Sequence, residues 1–191
     1  GSTDSSGAIC NWYAAKYDNI CAIHEENKGQ DMARKKGLDV AVGEFVLFID
    51  ADDWIDAKMI DCMMQKFADD IDIVAVGLRR VYENIIVDER ENFSSGLYVG
   101  RDIAVNLIEK NRFFKYRMDI GIYTKIFRKK LAESVFNKID LYVTYSEDYM
   151  IFLIAFLNSN HVYFINEPFY YYRLHSESYI HRNNKVEAIV H

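Results

Sequence analysis

Glu44-Phe-Val-Leu-Phe-Ile-Asp-Ala-Asp-Asp-Trp54 decides the reading of this chain. Its apolar part has strand length and no alternation, the pattern of a strand buried on both faces, and three carboxylates follow where that strand meets a loop. Carboxylates this close repel one another. A hard divalent cation offsets the repulsion, and Mg²⁺ favours one or two carboxylates together with the phosphates of a substrate. Asp50, Asp52 and Asp53 therefore point to chemistry on a metal-bound phosphate ester.

Outward from this stretch, strand and helix signals alternate. Ile9, Trp12, Tyr13, Lys16 and Tyr17 recur at helical spacing, and Ile20 to His24 is a short strand candidate. Asn27 to Gln30 is a loop signal, and Gln30 to Val40 reads as a helix interrupted near Gly37. Downstream, Asp56 suits an N-cap for a helix whose apolar face carries Met59, Ile60, Met63, Met64 and Phe67. Asp72 to Leu78 is the next strand, with Ile73 to Val76 buried. Val81 to Val99 reads as extended or hairpin structure, Arg101 to Lys110 as a helix. Another helix starts near Glu147 and Asp148, because acidic residues suit a first turn. His161 to Ile165 and Phe169 to Arg173 read as two strands around the only proline, Pro168. Such alternation indicates an α/β domain with a largely parallel sheet, whose ligands bind outside the carboxyl ends of the strands. The acidic cluster sits at such an end.

Bulk properties narrow the partners. With 191 residues, half of them hydrophobic, the chain has the size of one domain and the means to bury a core. A formal charge of −6 argues against nucleic acid as the main partner. The strongly apolar stretch Tyr149 to Leu157 is far short of the roughly 20 residues that cross a bilayer, so no membrane span is expected. Cys10, Cys21 and Cys62 are odd in number and scattered, which suggests a reducing compartment and thiols that are buried or inert.

Several segments together resemble family 2 glycosyltransferases with the GT-A fold. Gly1-Ser-Thr-Asp4-Ser-Ser is similar to the end of their D-G-S-T-D-x-S segment. Asn27-Lys-Gly29-Gln30-Asp-Met-Ala33-Arg34-Lys-Lys-Gly37 resembles N-x-G-x-x-x-A-R-N-x-G, and Phe48-Ile-Asp50-Ala51-Asp52-Asp53 resembles F-L-D-x-D-D. Tyr123-Thr-Lys125-Ile-Phe127-Arg128-Lys129 is similar to N-K-L-Y-R-R, Tyr145-Ser-Glu147-Asp148 to a segment ending in G-E-D, and Tyr172-Arg173-Leu-His175-Ser-Glu-Ser178 to Y-R-x-H-x-x-S. The segments occur in the right order over nearly the whole chain.

The resemblance implies a Rossmann-like three-layer α/β/α domain spanning 1–191, with a mostly parallel central sheet. Residues 1–80 would form the nucleotide-sugar-binding part and 81–191 the acceptor-binding part. It also implies that the first strand or strands of the sheet lie upstream of Gly1, leaving this chain alone poorly active and with an exposed sheet edge. The implied reaction is inverting transfer of a sugar from a nucleotide donor, a UDP-sugar first among them, to a glycan or lipid-linked acceptor in cell-surface polysaccharide synthesis. Mn²⁺ or Mg²⁺ would be clamped between the diphosphate and Asp52, with Asp50 beside it. Asp4, Asn27, Gly29, Gln30, Ala51 and His175 are the implied donor contacts, and Arg34 offers a charge-assisted bond to the diphosphate or base. Asp148 is the expected base that takes the acceptor's proton, with Glu147 as the fallback. The Tyr170-Tyr-Tyr172 run reads either as a sugar-stacking platform or as half-buried strand positions. The basic run Arg128-Lys129-Lys130 suits a solvated face, anionic lipid or diphosphate. A cytoplasmic location, with peripheral association at the inner face of a membrane, is expected.

Two other readings compete. A phosphatase of the haloacid dehalogenase type also places Asp-x-Asp after an apolar strand, but it expects Thr or Val at Trp54 and the motif on the first strand. A degenerate transferase domain would bind a glycan or partner without catalysis.

Overall fold

The computed structural model describes residues 1–82, 85–89, 94–109, 119–139 and 147–174. In chain order the elements are α1 (Ser6–Lys16), α2 (Gln30–Val40), β1 (Phe45–Leu47), β2 (Trp54–Ile55), α3 (Met59–Met64), β3 (Ile71–Tyr82), β4 (Ile85–Glu89) and β5 (Gly96–Val99). They continue as α4 (Gly100–Glu109), a 3₁₀ turn at Ile122–Thr124, β6 (Lys125–Arg128), α5 (Lys129–Phe136), α6 (Glu147–Asn158) and β7 (His161–Arg173). The strands form one sheet in the order β1-β6-β3-β7-β2, with β4 beside β3 and β5 beside β7.

Alternation along the strands separates two cores. Ile73 and Ala75 of β3, Phe127 of β6, and Val162 and Phe164 of β7 face a layer made by Leu38 of α2 with residues of α4, α5 and α6. Val74, Val76 and Leu78 point to the opposite face, where Met59 and Met63 of α3 are fully buried. Helices thus cover both faces, as a three-layer α/β/α arrangement requires. Asp56 forms a turn before α3, accepting from the Lys58 N–H at 2.9 Å.

Several expectations need correction. The strands β1, β3 and β7 run in one direction, but among the described residues only β3 with β7 pairs in parallel, and β6 runs against both β1 and β3. β1 stops at Leu47, whose partner is Ile126, while β6 extends one residue further and pairs its Lys125 with Ala75 of β3. As the end of the strand order it is also only half-buried, and Ile49 is exposed, rather than buried on both faces. Ile20 to His24 is not a strand, since no described strand lies beside it to complete a ladder. Gly37 does not interrupt α2, which continues to Val40 and docks through buried Leu38. Pro168 does not divide β7: the strand runs through it, with register shifts where Gly77 pairs with Pro168. A bulge of this kind tolerates the missing N–H. The apolar spacing of α1 buries nothing, and Ile9 and Trp12 remain exposed. Cys10 and Cys21 are exposed free thiols and Cys62 is half-buried, so of the two alternatives burial does not hold for the first two.

Candidate active site

The acidic turn lies beyond the carboxyl end of β1, beside the carboxyl end of β7. The Asp53 N–H donates to the Asp50 carbonyl at 3.1 Å, closing the turn. Asp53 is then pinned to β7: the buried Tyr170 hydroxyl donates to its Oδ2 at 2.7 Å and the Arg173 N–H to its Oδ1 at 2.8 Å. The same Tyr170 oxygen accepts from the Asp50 N–H at 3.3 Å. Burial raises the Asp53 carboxyl above the usual carboxylate range, the bonds from Arg173 and Tyr170 oppose this, and Asp52 and Asp50 add to the rise. Burial, with Asp53 beside it, keeps the Tyr170 hydroxyl protonated. Asp53 is therefore a structural pin, while Asp52 is exposed.

Arg34 organises the rest. Its guanidinium, only 8% exposed, donates through Nη1 to Asp31 at 3.1 Å and to Asp148 at 2.8 Å, and through Nη2 to Asp50 at 2.9 Å. Burial works against its charge, but Asp148, Asp50 and Asp31 outweigh burial and hold it above its ordinary value. The guanidinium thus faces carboxylates rather than standing open to a diphosphate. Asp148 lies in the first turn of α6, and Glu147 opens that helix. The side chain of Glu147 and all of His175 lie outside the described residues.

Asn27, Gly29 and Gln30 line a separate cavity of about 430 Å³ at the start of α2, together with Met32 and Lys36. Gly29 enters the helix at φ 90°, a left-handed value that favours glycine, and its N–H bonds the Asn27 side chain at 3.1 Å. Asp4 instead closes a turn just before α1, accepting from the Ser6 N–H at 2.9 Å, and hydrogen bonding to Ser6 holds its carboxyl below the usual range. The structure thus joins Arg34, Asp50 and Asp148, groups Asn27, Gly29 and Gln30, and leaves Asp4 in neither set.

Sequence reasoning missed a supporting layer. Tyr123 stacks on Tyr170 at 4.7 Å and on Tyr172 at 5.6 Å, and its hydroxyl donates to Asp119 at 3.2 Å. Lys125, 1% exposed, donates to the Asp119 and Gly121 carbonyls, each at 2.7 Å, fixing the loop that carries Tyr123. The tyrosine run therefore divides, with Tyr170 and Tyr172 in this stack and Tyr171 against Trp54 at 5.1 Å. Asp31 also escaped notice, although its spacing of three from Arg34 on one helix was a usable signal. In the basic run, Arg128 is engaged by Glu44 and by the Ile71 and Ala68 carbonyls, and Lys129 by Glu133.

Among the described residues no three His, Cys, Asp or Glu converge to hold an ion by themselves. Exposed Asp52, with Asp50 near it, fits instead a cation that completes its shell with substrate phosphates.

Helices on both faces of a mixed sheet, with an acidic turn beyond a strand end, fit the GT-A fold of nucleotide-sugar transferases, which the family match and the solved structures show. Residues 1–136 match the family described as glycosyl transferase family 2, and the chain belongs to that family. The putative glycosyltransferase EpsH of Bacillus subtilis strain 168 is 28% identical over 193 residues, covering 97% of this chain and 53% of its own length. Glycosyltransferase GlyA of Streptococcus pneumoniae serotype 4 is 28% identical over 186 residues, covering 93% of this chain and 26% of its own. A crystal structure of S. aureus TarS 1-349 in complex with UDP-GlcNAc aligns with a TM-score of 0.69 at 21% identity, over 93% of this chain and 50% of that one. The chain spans about half the length of EpsH and of that TarS structure, and about a quarter of GlyA. Family membership decides against the phosphatase reading. No helix among the described residues is long and apolar enough to cross a membrane.

Proposed function

We propose that this domain transfers a sugar, with inversion, from a UDP-sugar to a glycan or lipid-linked acceptor in cell-surface polysaccharide synthesis. The observation that carries the reading is the single guanidinium of Arg34, bonded at once to Asp50 of the acidic turn and to Asp148 of α6. The turn and the proposed base, remote in sequence, therefore share one site. The UDP complex of the TarS relative supports the choice of nucleotide.

In this reading Asp52 and Asp50 hold Mn²⁺ or Mg²⁺, which when bound stabilises the charge developing on the leaving diphosphate. Asp53, pinned by Tyr170 and Arg173, keeps the turn in shape. Asn27, Gly29 and Gln30 bind part of the donor in the cavity at the start of α2. Asp148 removes the proton of the acceptor hydroxyl as it attacks. Glu147 is the second candidate for that role, and a lipid-linked acceptor would place the reaction at a membrane surface, which this reading assigns to the cytoplasmic face.

In the full chain, Asp52→Ala is expected to abolish Mn²⁺-dependent UDP binding in a calorimetric titration. Asp148→Asn is expected to abolish transfer while UDP and Mn²⁺ still bind. Binding that survives Asp52→Ala unchanged overturns the metal assignment, and loss of binding and transfer together in Asp148→Asn makes Asp148 structural.

A further inference from the structure

Arg34 has a geometry that charge neutralisation alone does not require. Its guanidinium is nearly buried, and its two terminal nitrogens go to different elements: Nη1 to Asp148 on α6 and Nη2 to Asp50 on the turn after β1. Asp31, itself 4% exposed and one helical turn earlier, takes a further bond from Nη1. The side chain is thus held from below while it reaches two ways. A guanidinium is planar, and its nitrogens are fixed relative to one another, so what it grips with both is held at a set separation.

We propose that Arg34 is a positioning residue for the transfer step: one rigid fork sets where the Asp148 carboxylate stands relative to the donor-side Asp50. The inference rests on Asp148 being the base and Asp50 belonging to the donor and metal side. Inverting displacement needs base, acceptor oxygen and donor carbon aligned, and a misplacement of about 1 Å can lower the rate about 100-fold. Asp50 sits beyond a half-buried edge strand and Asp148 at a helix start, both ends of elements rather than their rigid middles. Arg34, on a helix anchored through Leu38, ties the two together.

Arg34→Lys separates charge from geometry, because a lysine keeps the positive charge on one nitrogen and loses the fork. The expected result in the full chain is a kcat lower by about 10- to 100-fold, with the donor KM and thermal midpoint close to wild type. A double-mutant cycle adds a second readout: Arg34→Lys has little further effect on the residual rate of Asp148→Asn, since it acts through that carboxylate. Unchanged kcat in Arg34→Lys overturns the inference. So does a raised donor KM at unchanged kcat, which makes Arg34 a donor contact. If Arg34→Lys does not fold, Asp148→Glu moves the base carboxylate one methylene past the fork, and full kcat there overturns the inference as well. An active Asp148→Asn removes the base assignment on which it rests, whereas an inactive Asp148→Asn beside a fully active Arg34→Lys removes the positioning role alone.

Discussion

At Asp53 two effects of opposite sign meet. Burial raises its carboxyl above the ordinary value of 3.8, while the bonds from Arg173 and Tyr170 resist the rise. The net shift is upward, so the ionised form is less favourable in the folded chain than in the unfolded one. Linkage then has a definite sign: the stability contributed by protonated Asp53 is complete below the unfolded value and is lost as pH rises through the raised folded one. Asp53→Asn cannot titrate. Its thermal midpoint relative to wild type is therefore expected to improve between about pH 3 and about pH 7, whatever constant offset the lost hydrogen bond imposes. A difference that does not vary with pH would refute this. Tyr170→Phe acts on the same bond from the other side, leaving Asp53 and the Asp50 N–H short of a partner, and is expected to cost about 1–3 kcal/mol. Chemical denaturation measures that loss.

Two glycines at element scale predict opposite outcomes. Gly37 lies within α2 and a methyl added there meets nothing within 4 Å, so Gly37→Ala is expected to stabilise the chain by about 0.5–1 kcal/mol through helix propensity. Gly100 opens α4 against the end of α6, where an added methyl would lie 2.8 Å from the Phe156 carbonyl and 1.9 Å from the Ser159 hydroxyl. Gly100→Ala is expected to cost about 1–3 kcal/mol, the range for overpacking. Thermal denaturation of both variants tests the pair, and a shared sign would contradict it. These cases also indicate what was legible beforehand. The Met59 and Met63 face, the apolar run of α6 and the carboxylates after β1 each sit within one segment, where periodicity or clustering carries the information. The extent of β1, the continuity of β7 through Pro168 and the bond between Arg34 and Asp148 depend on which remote segments become neighbours. Local sequence does not encode that register, so neither the passage of a strand through Pro168 nor the carboxylate partners of Arg34 can be read from it.

At the scale of the molecule, the strand order β1-β6-β3-β7-β2 alternates between the two halves of the chain. β1, β2 and most of β3 come from residues 1–80, whereas β6 and β7 come from 81–191. Every pairing along that path joins one half to the other. Arg34 and Asp148 repeat the pattern in the site, as do Tyr170 and Asp53. A division of the chain into residues 1–80 and 81–191 is thus drawn across a sheet that neither part completes. Each half alone would leave strands without ladder partners, with unpaired backbone groups and one side of both cores uncovered. The described core is therefore expected to unfold as one unit. Differential scanning calorimetry should give a calorimetric enthalpy close to the van't Hoff enthalpy. Fragments 1–80 and 81–191 expressed separately should show no cooperative transition, and mixing them should restore one. An isolated 1–80 fragment that melts cooperatively would show that residues 1–80 are a folding unit, and the interleaved sheet would then not be what holds the two parts together.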